Sequence, residues 1–259
     1  MIDVGKGPPI VLIPGLQGRW EWMSPAIEAL SESHRVLSFS LGEPIVPAST
    51  DDSEPFKGWL DAIDAVLDRA SEPRAAIIGV SFGGLIAARY VARRPERSAA
   101  LVLVSAPRPT WRPNSWDRLF IRYPRLARPA FLTRGCFRMV PEIFVANSTW
   151  LARLKFGAEY AGRAIRSPLS PPQMAQWVRQ WMTSDVREDC RTIRAPTLLI
   201  TGEPHLDRVV PVSSTLAYLE LICGASHRVL PGTGHVGLVS KPREFARLVG
   251  EFVSPAYAS

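Results

Sequence analysis

Cysteine is scarce in this chain. Three occur in 259 residues, Cys136, Cys190 and Cys223, far apart and without a Cys-x-x-Cys pair. So odd and sparse a set excludes a disulfide framework and suits a reducing compartment. Histidine is scarce too, with four residues in no zinc-binding spacing. Long apolar runs are missing. The longest uncharged apolar-rich stretch, residues 75–88 between Arg74 and Arg89, is too short to span a bilayer. Its glycines suit a buried turn and helix instead. The start, MIDVGKGPPIVLIPG, lacks the basic-then-apolar pattern of a secretion signal. The expectation is a soluble, cytoplasmic protein with no stable membrane insertion.

Acidic charge is short in one segment only. Between Pro107 and Cys190 there are 14 Lys and Arg against 6 Asp and Glu, while the rest of the chain holds 17 against 18. One segment therefore carries the whole net charge of +7. A basic segment can bind nucleic acid, but no nucleic-acid-binding motif accompanies this one, so no nucleic-acid partner is expected. A solvated, Arg-rich helical face and mild attraction of anionic substrates are the other readings. Nothing in the pattern speaks to oligomeric state.

What is present is order. Apolar residues make up 46% and charged residues 21%, which excludes a disordered chain. The length suits one large α/β domain, or a core with a modest insertion. Short β-rich runs at 10–13, 35–39, 75–78, 100–104, 197–200 and 228–230 alternate with amphipathic stretches at 22–33, 56–70, 81–93, 212–222 and 242–253. Continuous apolar runs are what parallel strands need when both faces are buried. The alternation breaks at 107–189, rich in proline, arginine and tryptophan and without a convincing strand. That segment reads as a helical insertion. The acidic stretch 51–54 reads as a solvated loop.

The sharpest local feature is Gly79-Val80-Ser81-Phe82-Gly83-Gly84. Gly-x-Ser-x-Gly is common by itself, but here a strand runs into it and a helix runs out. Serine at so tight a turn is thrust out above the sheet, and the flanking glycines remove side chains that would clash. The helix N-terminus then aims N–H groups at developing negative charge. The plain alternative is a glycine-rich helix start with Ser81 as N-cap.

Serine needs a base to take its proton. His34 precedes a strand, His227 opens one, and His205 lies beside a carboxylate loop. His235 stands in Pro231-Gly-Thr-Gly-His235-Val-Gly, between the last strand and last helix, and loops beyond strand C-termini are where such sheets build sites. An acid to orient it should follow the strand at 197–200. Glu203 and Asp207 both stand there, with Asp207 leading because a Val-Val-Pro run follows just beyond it, after Arg208. Asp185 and Asp189 precede the strand and fit less well.

These motifs together resemble the α/β-hydrolase superfamily over essentially the whole chain. Ser81, Asp207 and His235 match its catalytic triad in the order Ser, acid, His. The resemblance implies a mostly parallel sheet flanked by helices, with a helical cap inserted after the sixth family strand. The core would be 1–106 and 190–259, and the cap 107–189. The family's first antiparallel strand is expected to be absent, since few residues precede Ile10. The acid loop is longer than the usual Gly-x-x-Asp form, which keeps Glu203 open beside Asp207. The resemblance also implies an oxyanion hole from the backbone N–H groups of Phe82 and Leu16. This chain has Pro14-Gly15 where the family often has His-Gly, and the loop can also be read as a plain Gly/Pro turn.

The activity expected is hydrolysis of a small-molecule carboxylic ester through an acyl-enzyme, with no metal and no cofactor. An aspartate nucleophile would have pointed to dehalogenase or epoxide hydrolase chemistry; serine does not. Lactone opening, thioester or C–C cleavage and peptide hydrolysis stay open within the family, as does a catalytically silent binding protein. Trp177, Trp181 and Met182 lie three and four apart on a helix-like stretch. They, with Trp20, are expected at an acyl pocket, the alternative being that they only hold the insertion together.

Overall fold

A computed structural model describes residues 1–43, 45, 56–146, 149–168 and 170–257. The expected acidic loop at 51–54 lies outside these. Seven strands form one sheet: β1 Ile2–Val4, β2 Pro9–Ile13, β3 Arg35–Ser38, β4 Ala75–Val80, β5 Ser98–Val104, β6 Thr197–Thr201 and β7 Ser226–Val229. Their order across the sheet is β1-β3-β2-β4-β5-β6-β7. All neighbours are parallel except β1, which runs antiparallel to β3 with Ile2 opposite Ser38 and Val4 opposite Val36.

Strand β1 corrects an expectation. The antiparallel first strand is present, at three residues. So short a segment carries no period of its own, and only its pairing with β3 makes it a strand.

The central strands are buried along their whole length, as continuous apolar runs require. Successive side chains still divide between two faces. Val11, Ile13, Ile77, Leu101 and Leu199 pack beneath α2 (Lys57–Arg69), α3 (Phe82–Arg93) and α8 (Val186–Thr192). Ile10, Leu12, Ile78, Val102 and Ile200 pack on the other face, against α1 (Ser24–Ser31) and α11 (Pro242–Val253). Two short helices, α9 (Val212–Leu216) and α10 (Gly237–Ser240), complete the framework.

Between β5 and β6 the chain forms α4 (Ser115–Arg122), α5 (Arg128–Ala146), α6 (Trp150–Arg166), α7 (Pro171–Met182) and α8, with no strand among the described residues. Helix α8 packs on α3. Its buried Asp189 meets Arg89 at 3.3 Å and Arg93 at 2.9 Å. The expected boundary between 189 and 190 thus falls inside a helix that lies against the sheet layer.

Candidate active site

Strand β4 ends at Val80, and Ser81 turns the chain into α3 with φ 52° and ψ −121°, a positive φ that costs a serine energy. Surrounding bonds hold it. The Ser81 N–H donates to Val104 O at 2.8 Å, and the Gly84 N–H donates to Ser81 O at 2.8 Å. A methyl group on Gly83 would lie 2.6 Å from Ile13 O, so α3 starts where only glycine fits.

His235 and Asp207 arrive on the loops after β7 and β6. His235 Nδ1 lies 3.3 Å from Asp207 Oδ2, with Asp207 almost fully buried. The other carboxylate oxygen, Oδ1, accepts from the N–H groups of Val209 at 3.1 Å and Val210 at 2.9 Å. Those two bonds come from the Val-Val pair that follows Asp207 in sequence. Burial works to raise the Asp207 pKa, but the charge and hydrogen bond of His235, with the two N–H donors, hold it below the usual aspartate value. Burial works to lower the His235 pKa, and the Asp207 charge and hydrogen bond, with Glu142 behind them, raise it above the usual histidine value.

Glu203 serves elsewhere. Its Oε1 accepts from the Gly232 N–H at 2.7 Å, which pins the start of the histidine loop, and its Oε2 lies 3.5 Å from exposed His205. His34 is buried and shares a hydrogen bond with Ser33, and His227 shares one with Thr201. Of the four histidines, His235 alone is hydrogen-bonded to Asp207 among the described residues.

Ser81, Phe82, Leu16 and His235 line one cavity of about 300 Å³. The loop carrying Leu16 lies close against the serine: a methyl on Gly15 would stand 3.2 Å from Ser81 Cβ. Phe82 is the first residue of α3, so its N–H has no acceptor within the helix. Among the described residues, no three His, Cys, Asp or Glu side chains gather as a metal set.

The tryptophans divide by helical face. Met174, Val178 and Trp181 of α7, at i, i+4 and i+7, line the cavity. Trp181 stacks on Trp111 with ring centres 4.5 Å apart. Trp177, of the same expected set, is not among the lining residues. It lies over Gly18, whose φ of 73° and missing side chain admit the ring, and meets Trp59 edge-on at 5.9 Å. Met182 is exposed, and Trp20 packs with the core on the α1 side of the sheet. Trp22, two residues on, reaches the cavity in its place.

Three groups at the site escaped sequence reasoning. Gln17 and Arg138 line the cavity. Burial and the charge of Arg134 lower the Arg138 pKa, while Asp117 opposes them. The third is Glu142 on α5. It is fully buried, and its two oxygens accept from the Val236 N–H at 3.1 and 3.0 Å. Burial raises its pKa. The signal was there to read: Glu142 is a lone carboxylate in Met139-Val-Pro-Glu-Ile-Phe-Val145, and a charge in an apolar run has to find a partner.

A family model described as "Alpha/beta hydrolase family" matches residues 10–248. The 2-hydroxy-6-oxo-2,4-heptadienoate hydrolase of Pseudomonas putida is 26% identical over 264 residues, covering 97% of this chain and 91% of that protein. The pimeloyl-[acyl-carrier protein] methyl ester esterase of Aeromonas salmonicida is 27% identical over 275 residues, covering 96% of each. The enol-lactonase of Burkholderia xenovorans LB400 has the same fold, with a TM-score of 0.77 at 19% identity over 98% of this chain and 95% of that one.

Proposed function

The chain belongs to the alpha/beta hydrolase family, and we propose that within it the protein is a serine hydrolase of carboxylic esters, working through an acyl-enzyme. The observation that carries this reading is the His235–Asp207 pair, its carboxylate buried, beside a strained Ser81 in one apolar-walled cavity. Asp207 fixes the tautomer with Nδ1 protonated, which leaves Nε2 to face Ser81. Ser81 Oγ attacks the ester carbonyl carbon as its proton passes to Nε2. The carbonyl oxygen takes up negative charge between the N–H groups of Phe82 and Leu16. Collapse expels the alcohol, which leaves with the proton from His235. Water then enters, gives its proton to His235, attacks the acyl carbon and releases the acid, and Ser81 recovers its proton. On this reading residues 107–189 act as a cap over the site, and their α4, α5 and α7 supply cavity wall. The free thiols of Cys190 and Cys223 support a cytoplasmic setting.

A second reading rests on Arg138. A partly desolvated guanidinium in the cavity wall suits a substrate that carries a carboxylate, and hydrolytic C–C cleavage of such an acid would use the same three residues. The protein of Pseudomonas putida named above is called a hydrolase of that kind of acid. One panel separates the two: aryl esters of graded chain length, a lactone and a 2-hydroxy-6-oxo-dienoate. Turnover of esters above the others supports the first reading, and preference for the dienoate replaces it with the second. Covalent labelling of Ser81 by a fluorophosphonate probe tests both against a silent binding protein.

A further inference from the structure

Sixteen large apolar side chains are exposed among the described residues, and twelve of them lie between Trp116 and Ile165. They are ordered by helical spacing. Trp116, Leu119 and Tyr123 follow one face of α4 at i, i+3 and i+7. Phe137, Val140 and Phe144 repeat that spacing on α5. Trp150, Leu154 and Ile165 share a face of α6. The inward face of α4 and α5 is already used, since Phe120, Ile121, Arg138 and Met139 line the cavity. Each of these helices thus carries a second apolar stripe that faces water. Helices α5 and α6 touch, with Arg153 of α6 over the Phe144 ring at 4.5 Å.

The same helices hold the charge. Residues 115–166 contain ten Lys and Arg against three Asp and Glu, and one of the three, Glu142, is buried. Arg118, Arg122, Arg125, Arg128 and Lys155 are exposed on the same segment. Exposed apolar surface on this scale marks a docking face. A second copy of the chain would bring a like charge against it, which is repulsive. A soluble acidic protein would meet the arginines and leave the apolar stripes without a counterpart. An anionic bilayer supplies both partners, headgroup phosphates for the guanidinium groups and hydrocarbon for Trp, Phe and Leu. Among the described residues no helix is long and apolar enough to cross a membrane, so the contact is at the surface.

We propose that α4, α5 and α6 form a docking face for an anionic lipid surface. The test is flotation of the full chain with vesicles of phosphatidylcholine alone and of equimolar phosphatidylcholine and phosphatidylglycerol. Two triple variants are run beside it: Trp116→Ser with Trp150→Ser and Leu154→Ser, and Arg122→Gln with Arg125→Gln and Arg128→Gln. None of the six residues lines the cavity. Circular dichroism and turnover of a soluble short-chain ester verify that each variant is folded. The expected result is binding to the anionic vesicles and little to the neutral ones. The arginine variant should lose about a hundredfold in affinity, from the contribution of three basic groups near an anionic surface, and the apolar variant at least about tenfold. Ser81→Ala should bind as the unaltered chain does, so failure of the hydrolase reading leaves this result standing. The proposal is overturned by equal binding to both vesicle types, by variants that bind undiminished, by a dimer that the apolar variant dissolves, or by soluble polyglutamate binding as tightly as anionic lipid.

Discussion

The Val236 N–H donates to both carboxylate oxygens of Glu142, one residue beyond His235. This joins α5, ninety-four positions back in the chain, to the backbone of the histidine loop. The carboxylate also acts on the imidazole through space, since its charge helps raise the His235 pKa. Glu142 is therefore placed to position His235 and to tune its titration.

Glu142→Gln keeps an acceptor for Val236 and removes the charge. A base with a raised pKa stays protonated, and idle, to higher pH. The acid limb of kcat/KM is expected above about 6.5, the ordinary histidine value. Without the Glu142 charge the limb should move to lower pH, and a pH-rate profile on a soluble ester measures the move. Glu142→Ala would also leave a buried N–H unpaired, at about 1–3 kcal/mol, read as a lower Tm. A limb that stays in place in both variants denies Glu142 any part in tuning the base.

Ser81→Ala removes the nucleophile and no packing. The expected loss in kcat is roughly 10⁴-fold or more, with Tm little changed, since alanine keeps the Cβ that makes φ 52° costly. Retention of a tenth of the activity would exclude Ser81 as nucleophile.

Asp207→Asn should cost about 10⁴-fold in kcat, because an amide beside Nδ1 favours the wrong tautomer. Glu203→Gln preserves an oxygen for the Gly232 N–H and touches His205 only at the surface. Its expected loss is within about tenfold, the scale of a perturbed loop rather than a lost catalytic group. Comparable losses in the two single variants would return the acid to Glu203.

Trp177 and Trp181 lie on one helix and should answer differently to alanine. Trp177→Ala opens a hole over Gly18 and beside Trp59, away from the cavity, so it should lower stability by about 3–5 kcal/mol and leave ester chain-length preference alone. Trp181→Ala removes cavity wall and the stack on Trp111, so preference should shift to longer acyl chains as stability falls. Thermal melts and a chain-length series measure both, and identical profiles for the two variants would remove Trp181 from the pocket.

Much of the fold is legible in the amino-acid sequence. Parallel strands announce themselves when both faces are buried, so the runs at 10–13, 75–78 and 100–104 all lie within strands. The Ser81 turn is legible because its glycines have one use there. Other features depend on tertiary contact. Three residues become β1 only through β3, and the choice between Asp207 and Glu203 needs the path of the His235 loop. Trp177, Trp181 and Met182, expected together at the pocket, are separated on α7 by a rotation of about 100° per residue. Spacing shows that such residues share a helix, and packing alone shows which side each one faces.

The chain leaves the sheet at Val104 and rejoins it at Thr197 on the neighbouring parallel strand, so it departs from one end of the sheet and returns at the other. Helix α8, tied to α3 through Asp189, makes that return journey. Residues 107–189 are consequently a poor unit for grafting, because the downstream cut would sever the crossover itself. A chimaera that exchanges only α4 to α6 with a relative leaves both the crossover and the buried face of α7 in place. Within those three helices Glu142 has to be kept for the Val236 N–H, and the rest of α4 to α6 is where a new substrate range could be installed without rebuilding the loops that carry Ser81, Asp207 and His235.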